Sequence, residues 1–194
     1  MSYAHPHAWI DLQSSVVFND EGQVEGLKLR WTFDALYTGF ALSGVKRDED
    51  GNLDKTFINE LAKENLTNLE DYSYFTFMDV AGEKQNFETV TEFSTDIDDG
   101  RLWLEFNLPL PEALDPKDIT YSVYDPTYYI EILHKDRLIA FEGNQTAEEN
   151  CSYDFTDPEP TEELISRMAD LDKTETAGNG VGQFFAEKVS VTCF

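Results

Sequence analysis

The sequence predicts a mainly β fold with α-helical insertions (α+β), arranged as a single-domain antiparallel β-sandwich. Short stretches of alternating apolar and polar residues recur along the chain, each bounded by turn residues such as Gly, Asp and Pro. Helical spacing of apolar residues is confined to residues 34–66 and to the C-terminal part of the chain. The chain has 194 residues, 41% of them hydrophobic, which is enough for a substantial buried core.

The chain opens with two predicted strands, residues 7–19 and 24–33, which should form a hairpin. Asp20-Glu21-Gly22 is a turn between them, and the second strand (VEGLKLRWTF) alternates between apolar and polar residues. A helical insertion follows. Asp34 is the predicted N-cap and Gly44 the predicted end of its first helix, since apolar residues recur between them at helical spacing. A second helix is predicted at 55–65.

Further strands are predicted after the insertion, at residues 72–80, 87–95, 101–108, 119–124, 128–134, 138–141 and 150–155. Thr161 should cap a C-terminal helix that ends near Leu171, because Glu162 and Glu163 occupy its first turn. Residues 181–187 also have helical character, and a closing strand is predicted at 189–194. With no internal repeat, residues 5–194 are interpreted as one domain.

The charge balance excludes some classes of function. The chain carries 39 acidic and 14 basic residues, a net charge of −25. Such a surface repels phosphate backbones and anionic membranes, so nucleic-acid binding is not expected. No apolar run approaches the roughly 18 residues of a membrane-spanning helix. Sequence signatures of catalysis are absent, so we expect a non-enzymatic, acidic protein with no small-molecule substrate evident.

Two cysteines, Cys151 and Cys193, indicate one disulfide bond that ties the C-terminal strand to the body of an exported protein. A metal site built on the two thiolates is the alternative. Neither a Cys-x-x-Cys spacing nor an adjacent histidine supports that alternative, so the disulfide is favoured.

The N-terminus resembles the end of a cleaved leader. Residues 1–4 (MSYA) end in a small-x-small triplet of the kind that signal peptidase cuts after, so we interpret them as the remnant of a signal peptide in a recombinantly expressed chain. On this interpretation the natural chain starts at His5 in the periplasm. A cytosolic protein that merely begins Met-Ser-Tyr-Ala is the alternative.

His5 and His7 flank Pro6 and would share one face of an extended segment. Both imidazoles, and the α-amine of His5 if it is the first residue, could then bind one divalent ion. Zinc suits nitrogen donors completed by a carboxylate. Pro6 lacks the amide proton that a square-planar Cu(II) or Ni(II) site at a chain terminus uses, although copper or nickel bound through His5 stays possible. The alternative is a frayed terminus without function.

The acidic loop at 46–57 resembles an incomplete calcium loop. With Gly51 in the glycine position, Asp48, Asp50 and Asn52 fall on oxygen-donor positions. Lys46 and Phe57 occupy the first and last ligand positions, which should be acidic. We therefore expect an ordinary turn rather than a Ca²⁺ site.

Several segments together resemble an uncharacterised periplasmic family, formerly described as the periplasmic component of an ABC-type transport system, which includes the ZevA-type zinc-uptake proteins. These segments are HPHAWID, RWTFDALY, DEDGNL, VYDPTYYIEI and FFAEKVSVTC. The resemblance runs in order from His5 to Cys193, and its most specific parts are the HPH start and the YDPTYY segment.

This resemblance implies a periplasmic protein that handles zinc or a related metal together with an inner-membrane permease of the nickel/cobalt type. It implies His5 and His7 as ligands, and Asp125 of the Tyr-Asp-Pro sequence as a supporting carboxylate, with a turn-forming Asp125 as the alternative. His134, beside the Lys135-Asp136-Arg137 turn, is expected to be solvent-exposed.

Two other functions are kept open. One is a metal-independent structural or interaction domain of the transporter complex. The other is a copper-dependent oxidase, which would need His134 near the N-terminus as a further ligand.

Overall fold

A computed structural model describes residues 6–45, 53–171 and 178–194. These ranges form two β-sheets, four α-helices and two short 3₁₀ segments. The predicted class, mainly β with α insertions, is confirmed. His5, and the acidic-loop residues Lys46, Asp48, Asp50, Gly51 and Asn52, lie outside the described residues, as do residues 1–4.

The larger sheet has six strands in the order β5-β6-β2-β1-β8, and β9 also pairs with β1. Its strands are β1 (Ala8–Phe18), β2 (Val24–Phe33), β5 (Phe93–Asp98), β6 (Arg101–Leu114), β8 (Ile130–Leu133) and β9 (Ile139–Glu142). The predicted hairpin of β1 and β2 is confirmed, with Ile10 opposite Phe33 and Val16 opposite Leu27.

The smaller sheet has five strands in the order β10-β11-β7-β3-β4. Its strands are β3 (Thr76–Val80), β4 (Glu83–Gln85), β7 (Ile119–Val123), β10 (Cys151–Thr156) and β11 (Lys188–Cys193). All pairs within this sheet are antiparallel.

Strand β1 departs from the purely antiparallel arrangement that the sequence predicts. It runs antiparallel to β2 on one side, and on its other side it runs parallel first to β8 and then to β9. The β8 pairing covers Ala8 to Asp11 and the β9 pairing covers Ser14 to Val17. Between them the chain leaves the sheet at residues 134–138. Parallel pairing needs a crossover connection, which alternation within single strands cannot reveal.

The helices are α1 (Ala35–Ala41), α2 (Lys55–Leu69), α3 (Gln145–Asn150) and α4 (Glu162–Asp170). The predicted caps Asp34 and Thr161 are confirmed, because each side chain accepts hydrogen bonds from backbone N–H groups of the first helical turn. In the described residues no helix is long and apolar enough to cross a membrane.

The two sheets share one buried core. Fully buried side chains come from both of them, including Val16, Leu29 and Leu108 of the larger sheet and Ile119, Tyr121 and Val189 of the smaller one. Three residues of α2 also enter this core: Ile58, Ala62 and Leu66. Burial of these apolar surfaces is the main stabilising contribution to the fold.

Three predicted elements differ from the structure. Residues 70–75 do not begin β3: a short 3₁₀ segment starts at Glu70, and Ser73, Tyr74 and Phe75 interrupt it with positive φ angles that neither a helix nor a strand has. Strand β5 begins at Phe93 rather than at residue 87. The C-terminal helical stretch is a short 3₁₀ turn, Gly182–Phe184. Helix α3, capped by Asn144, was not expected.

Candidate functional site

The HPH segment and the YDPTYY segment lie against each other. The backbone N–H of His7 donates to the carbonyl of Tyr129 at 2.9 Å, and the two rings lie 4.7 Å apart between centroids. This bond extends the parallel ladder of β1 and β8, where Ala8 pairs with Ile130 and Trp9 with Glu131. His7 is therefore fixed at the start of β1, and the segment beside it is the one that the sequence singled out.

Asp125 organises the turn that carries Tyr129. Its carboxylate accepts hydrogen bonds from the backbone N–H and the hydroxyl of Thr127 at 2.8 Å, and from the N–H groups of Tyr129 and Ile130 at 3.0 and 3.1 Å. The side chain is 5% exposed. An aspartate that bonds to the backbone just after it is a common turn device. A role of Asp125 as a metal ligand stays a prediction, and it would require some of these bonds to be given up.

The C-terminal loop packs against the same turn. The carbonyl of Pro126 accepts hydrogen bonds from Gly180 and Gly182, each at 3.0 Å. A Cβ atom on Gly182 would lie 1.8 Å from the carbonyl oxygen of Asp125, so only glycine permits this approach. Phe185 then stacks on Tyr128 with ring centroids 3.9 Å apart.

Tyr128 is held in a constrained conformation at the centre of this arrangement. Its φ is +56°, in the left-handed region that non-glycine residues seldom occupy. Its hydroxyl donates to a carboxylate oxygen of Glu131 at 3.1 Å. Burial, and secondarily the charge of Glu131, raise the pKa of Tyr128 above its usual value.

The RWTFDALY segment meets the N-terminal segment through Asp34. Trp9 donates its backbone N–H to the Asp34 carboxylate at 2.9 Å, and the Asp34 N–H donates to the Trp9 carbonyl at 2.9 Å. The same side chain caps α1. Four segments that are distant in the sequence, RWTFDALY, YDPTYY, the FFAEK stretch and the HPH start, therefore converge on one end of the larger sheet.

The described residues contain no group of three His, Cys, Asp or Glu side chains placed to hold a metal ion. His7 is the only member of the HPH pair within them. Strand alternation places His7 on the same face as Trp9, opposite the buried Ala8. Glu131, paired with Trp9, is therefore a carboxylate on the face to which His7 belongs, as is Asp11 further along β1. A metal site would need further donors, and His5, the other histidine of the pair, lies outside the described residues.

His134 is buried, and the expectation that it is solvent-exposed is wrong. It is 4% exposed. Its Nδ1 lies 2.5 Å from Oε1 of Glu187, and the same oxygen accepts the backbone N–H of His134 at 2.6 Å. Its Nε2 lies 2.7 Å from the hydroxyl of Ser14. The sequence does not indicate this burial because the hydrogen-bond partners of His134 lie on β1 and in the segment before β11, both distant from His134 in the chain.

Ser14 extends this network to the second sheet. Its hydroxyl lies 2.7 Å from that of Tyr121, on β7. In one tautomer of His134 every polar atom of the network has a partner. Nδ1–H of His134 donates to Glu187, the Tyr121 hydroxyl donates to that of Ser14, and the Ser14 hydroxyl donates to Nε2. The order serine, histidine, acid occurs in hydrolases. Here Ser14 is 4% exposed in the middle of a strand, so we interpret the network as a polar link between the sheets.

The position of His134 also removes the ligand on which the copper-oxidase alternative depended. Ser14, its hydrogen-bond partner, follows His7 by seven residues on β1, which is about 23 Å at the rise of a strand. His5 precedes His7 by only two residues. His134 therefore lies too far from the HPH segment to bind the same ion.

The predicted disulfide between Cys151 and Cys193 is confirmed. The two residues face each other in the ladder of β10 and β11 and close a sequence separation of 42 residues. The described residues contain no free cysteine.

Comparison with known proteins gives a family but no activity. The family described as "Protein of unknown function (DUF1007)" matches residues 1–193. An "Uncharacterized protein" of Haemophilus influenzae is 24% identical over 195 residues, which cover 98% of this chain and 91% of that protein. An "Uncharacterized 15.5 kDa protein in trpE 3'region" of Spirochaeta aurantia is 31% identical over 85 residues, covering 43% of this chain and 61% of that protein. No solved structure matches.

Proposed function

The chain belongs to the DUF1007 family, and from that premise we propose that it is a periplasmic protein that binds a divalent metal ion through its HPH segment. Zinc is the proposed ion, with copper or nickel as alternatives. The partner would be a membrane permease of the nickel/cobalt type, as the resemblance to ZevA-type zinc-uptake proteins implies. The protein itself would carry no catalytic activity.

The contact between His7 and Tyr129 is the observation that carries this proposal. A frayed terminus would leave His7 without fixed neighbours, whereas its backbone continues the β1–β8 ladder at 2.9 Å and its ring lies against that of Tyr129. A ligand whose position is fixed before binding loses less conformational entropy when the ion arrives. This placement supports His7 as one nitrogen donor of the site.

The chemistry of the surroundings also supports a cation site. Glu131 offers an oxygen on the same face of the sheet, and Asp125 is the alternative carboxylate that the sequence favours. The net charge of −25 attracts cations at long range. Nitrogen donors completed by carboxylate oxygen suit zinc.

The disulfide supports the proposed compartment. Disulfide bonds persist in oxidising environments such as the bacterial periplasm and are rare in the cytosol. The Cys151–Cys193 bond joins the final strand to β10. This is compatible with export, which would also generate the free α-amine at His5 if cleavage follows Ala4.

Calorimetric titration with ZnCl₂ tests the metal site. Protein that begins at His5 is expected to bind about one zinc ion, and protein that begins at Met1 to bind more weakly because it lacks the α-amine chelate. Because amine and imidazole must be deprotonated to coordinate, affinity should fall below about pH 6.5. The double variant His5→Ala, His7→Ala should lose binding by a factor of at least about ten.

Variants of single carboxylates show which acidic side chain contributes to zinc binding. Glu131→Gln should weaken zinc binding without changing the unfolding free energy, while Asp125→Asn should lower the unfolding free energy by disrupting the turn. Glu83→Gln, at the exposed edge strand β4, is the control and should change neither quantity. Unchanged zinc affinity in the double histidine variant would refute the site.

A metal-independent interaction domain is the second candidate function. An apolar cleft of about 490 Å³ beside the HPH segment favours it, lined by Pro6, Trp9, Tyr128, Ile165, Met168 and Phe185. If this function is the right one, the protein should bind the permease equally well in the presence of chelator and after substitution of both histidines.

A further inference from the structure

A second cleft lies between the larger sheet and the helical insertion, and it shares Asp125 and Tyr129 with the surroundings of the HPH segment. Its volume is about 420 Å³, within the usual range of small-molecule sites. Strand β2, helices α1 and α2, the 3₁₀ segment and the Asp125 turn form its walls. Six aromatic side chains line it: Trp31, Phe33, Tyr37, Tyr72, Phe75 and Tyr129.

The rings are held in fixed positions by one another. Phe75 stacks on Trp31 with centroids 6.3 Å apart, and Tyr37 stacks on Phe33 at 4.8 Å. Tyr72 meets Phe75 edge-on at 6.2 Å. Trp31 and Phe33 are buried at the base, whereas Tyr72 is 54% exposed at the rim. Preformed aromatic rings therefore surround the cleft, and the ring surface open to solvent belongs to those at its rim, such as Tyr72 and Tyr129.

Strained backbone places the Phe75 ring in the cleft. Ser73, Tyr74 and Phe75 have φ angles of 53°, 51° and 56°, three successive non-glycine residues in the left-handed region. Each such residue costs about 1–3 kcal/mol, and strain of this kind concentrates at ligand clamps. The burial and the hydrogen bond of Tyr74 offset part of this strain. Tyr74 is 3% exposed, and its hydroxyl accepts the Val90 N–H at 3.0 Å.

The electrostatic character of the cleft selects for a cation. None of the residues that line it is basic, and the acidic residue Asp125 is among them. The faces of aromatic rings attract a cation, most strongly where water is excluded. The net charge of −25 adds long-range attraction.

We propose that this cleft binds a small organic cation of the quaternary-ammonium class. Such a head group has no N–H to donate and therefore needs ring faces rather than hydrogen-bond acceptors around it. The side-chain amides of Asn65 and Asn68, at the α2 side of the cleft, provide hydrogen bonds for a polar tail such as a hydroxyl.

Choline and its neutral carbon analogue 3,3-dimethyl-1-butanol test the proposal, since they have the same shape and differ in charge. Each is titrated into ¹⁵N-labelled full-length protein in the presence of EDTA, so that the proposed metal site is empty. The three tryptophans give three indole N–H signals, and the Trp31 signal is assigned by its loss in Trp31→Phe. Choline should shift this signal saturably, with at least about tenfold higher affinity than the alcohol.

Variants of Tyr72 at the rim distinguish cation–π binding from nonspecific apolar binding. Tyr72→Leu should weaken choline binding by about two- to fivefold because it removes a ring face, while Tyr72→Phe should keep the affinity. Phe184→Leu removes a comparably exposed ring outside the cleft and should have no effect. Equal binding of the neutral alcohol, or the absence of a saturable Trp31 shift, would overturn the proposal.

Discussion

The imidazole of His134 and the carboxylate of Glu187 lie 2.5 Å apart in the protein interior, although 53 positions separate the two residues in the chain. Glu187 is 5% exposed, and its Oε1 accepts both the ring N–H and the backbone N–H of His134. A buried carboxylate is tolerated only where such bonds compensate its desolvation. This pair therefore joins the segment before β11 to the end of β8.

Replacing Glu187 by leucine should destabilise the fold. The change leaves two buried N–H donors of His134 without an acceptor, and each such group costs about 1–3 kcal/mol. We expect the unfolding free energy, measured by urea denaturation, to fall by about 2–4 kcal/mol. Glu163→Gln, in the exposed first turn of α4, is the control and should change it by less than about 0.5 kcal/mol. An unchanged midpoint in Glu187→Leu would contradict the assigned role.

Alkaline pH should destabilise the protein through Tyr121. Burial raises the pKa of this hydroxyl above its usual value, and the hydrogen bond to Ser14 opposes the rise only in part. Above about pH 10 the unfolded chain therefore loses a proton that the folded chain retains. The unfolding free energy is then unaffected below that pH and falls above it, by up to about 1.4 kcal/mol per pH unit.

Tyr121→Phe isolates this contribution. The variant loses one hydrogen bond at all pH values but should show a shallower decline between about pH 10 and 11, measured by urea unfolding. Tyr37, Tyr74, Tyr124 and Tyr128 also have raised pKa values, so a residual slope is expected. A slope identical to that of the parent protein would show that Tyr121 ionises equally in both states.

Reduction of the Cys151–Cys193 bond should lower the unfolding free energy by about 4 kcal/mol, because the bond closes a loop of some 42 residues in the unfolded chain. The measurement compares urea unfolding with and without reductant. A double Cys151→Ser, Cys193→Ser variant should match the reduced protein and be insensitive to reductant. Equal stability of oxidised and reduced protein would show that the closed loop contributes nothing.

Gly182→Ala should displace the C-terminal loop from the Asp125 turn, because the added Cβ would lie 1.8 Å from the Asp125 carbonyl oxygen. We expect a loss of about 2 kcal/mol or more in unfolding free energy. Gly39→Ala is a matched control, because no atom lies within 4 Å of the added Cβ. Its position inside α1 predicts a gain of up to about 1 kcal/mol. Similar effects of the two substitutions would contradict this interpretation.

The elements that sequence predicts well are those fixed by neighbouring residues. The β1–β2 hairpin follows from alternation around a turn, and α1 follows from a capping aspartate before apolar residues at helical spacing. Both signals come from residues that are close together in the chain. The bounds of the hairpin agree with the structure to within one residue, whereas α1 ends at Ala41, short of the predicted end at Gly44.

The strand predicted at 87–95 shows the opposite case. Phe87 and Val90 do pack against the core, but they are three positions apart, which is not the two-residue period of a regular strand. However, the backbone there bonds to scattered partners, such as Glu88 to the Pro109 carbonyl and Val90 to the Tyr74 hydroxyl. A regular ladder begins only at Phe93. Apolar residues between turn signals indicate burial, and they cannot distinguish a strand in a ladder from an extended segment that packs without one.

The candidate site is predictable in its components but not in their arrangement. The sequence singles out the HPH and YDPTYY segments, and the structure brings His7 and Tyr129 together. From sequence Asp125 is a supporting carboxylate or a turn residue, and its four accepted bonds show the turn role. Sequence reasoning misses Glu131 because its relation to His7 depends on the parallel register of β1 with β8, two strands that are far apart in the chain.

The same parallel register has a mechanical consequence. A pull applied to the chain ahead of Ala8 acts along β1, whose hydrogen bonds to β2 on one side and to β8 and β9 on the other lie across the direction of the force. These bonds must shear together instead of opening one after another. The first strand should therefore resist extraction more strongly than β5 at the edge of the same sheet, which a comparison of the two pulling points in optical tweezers would measure.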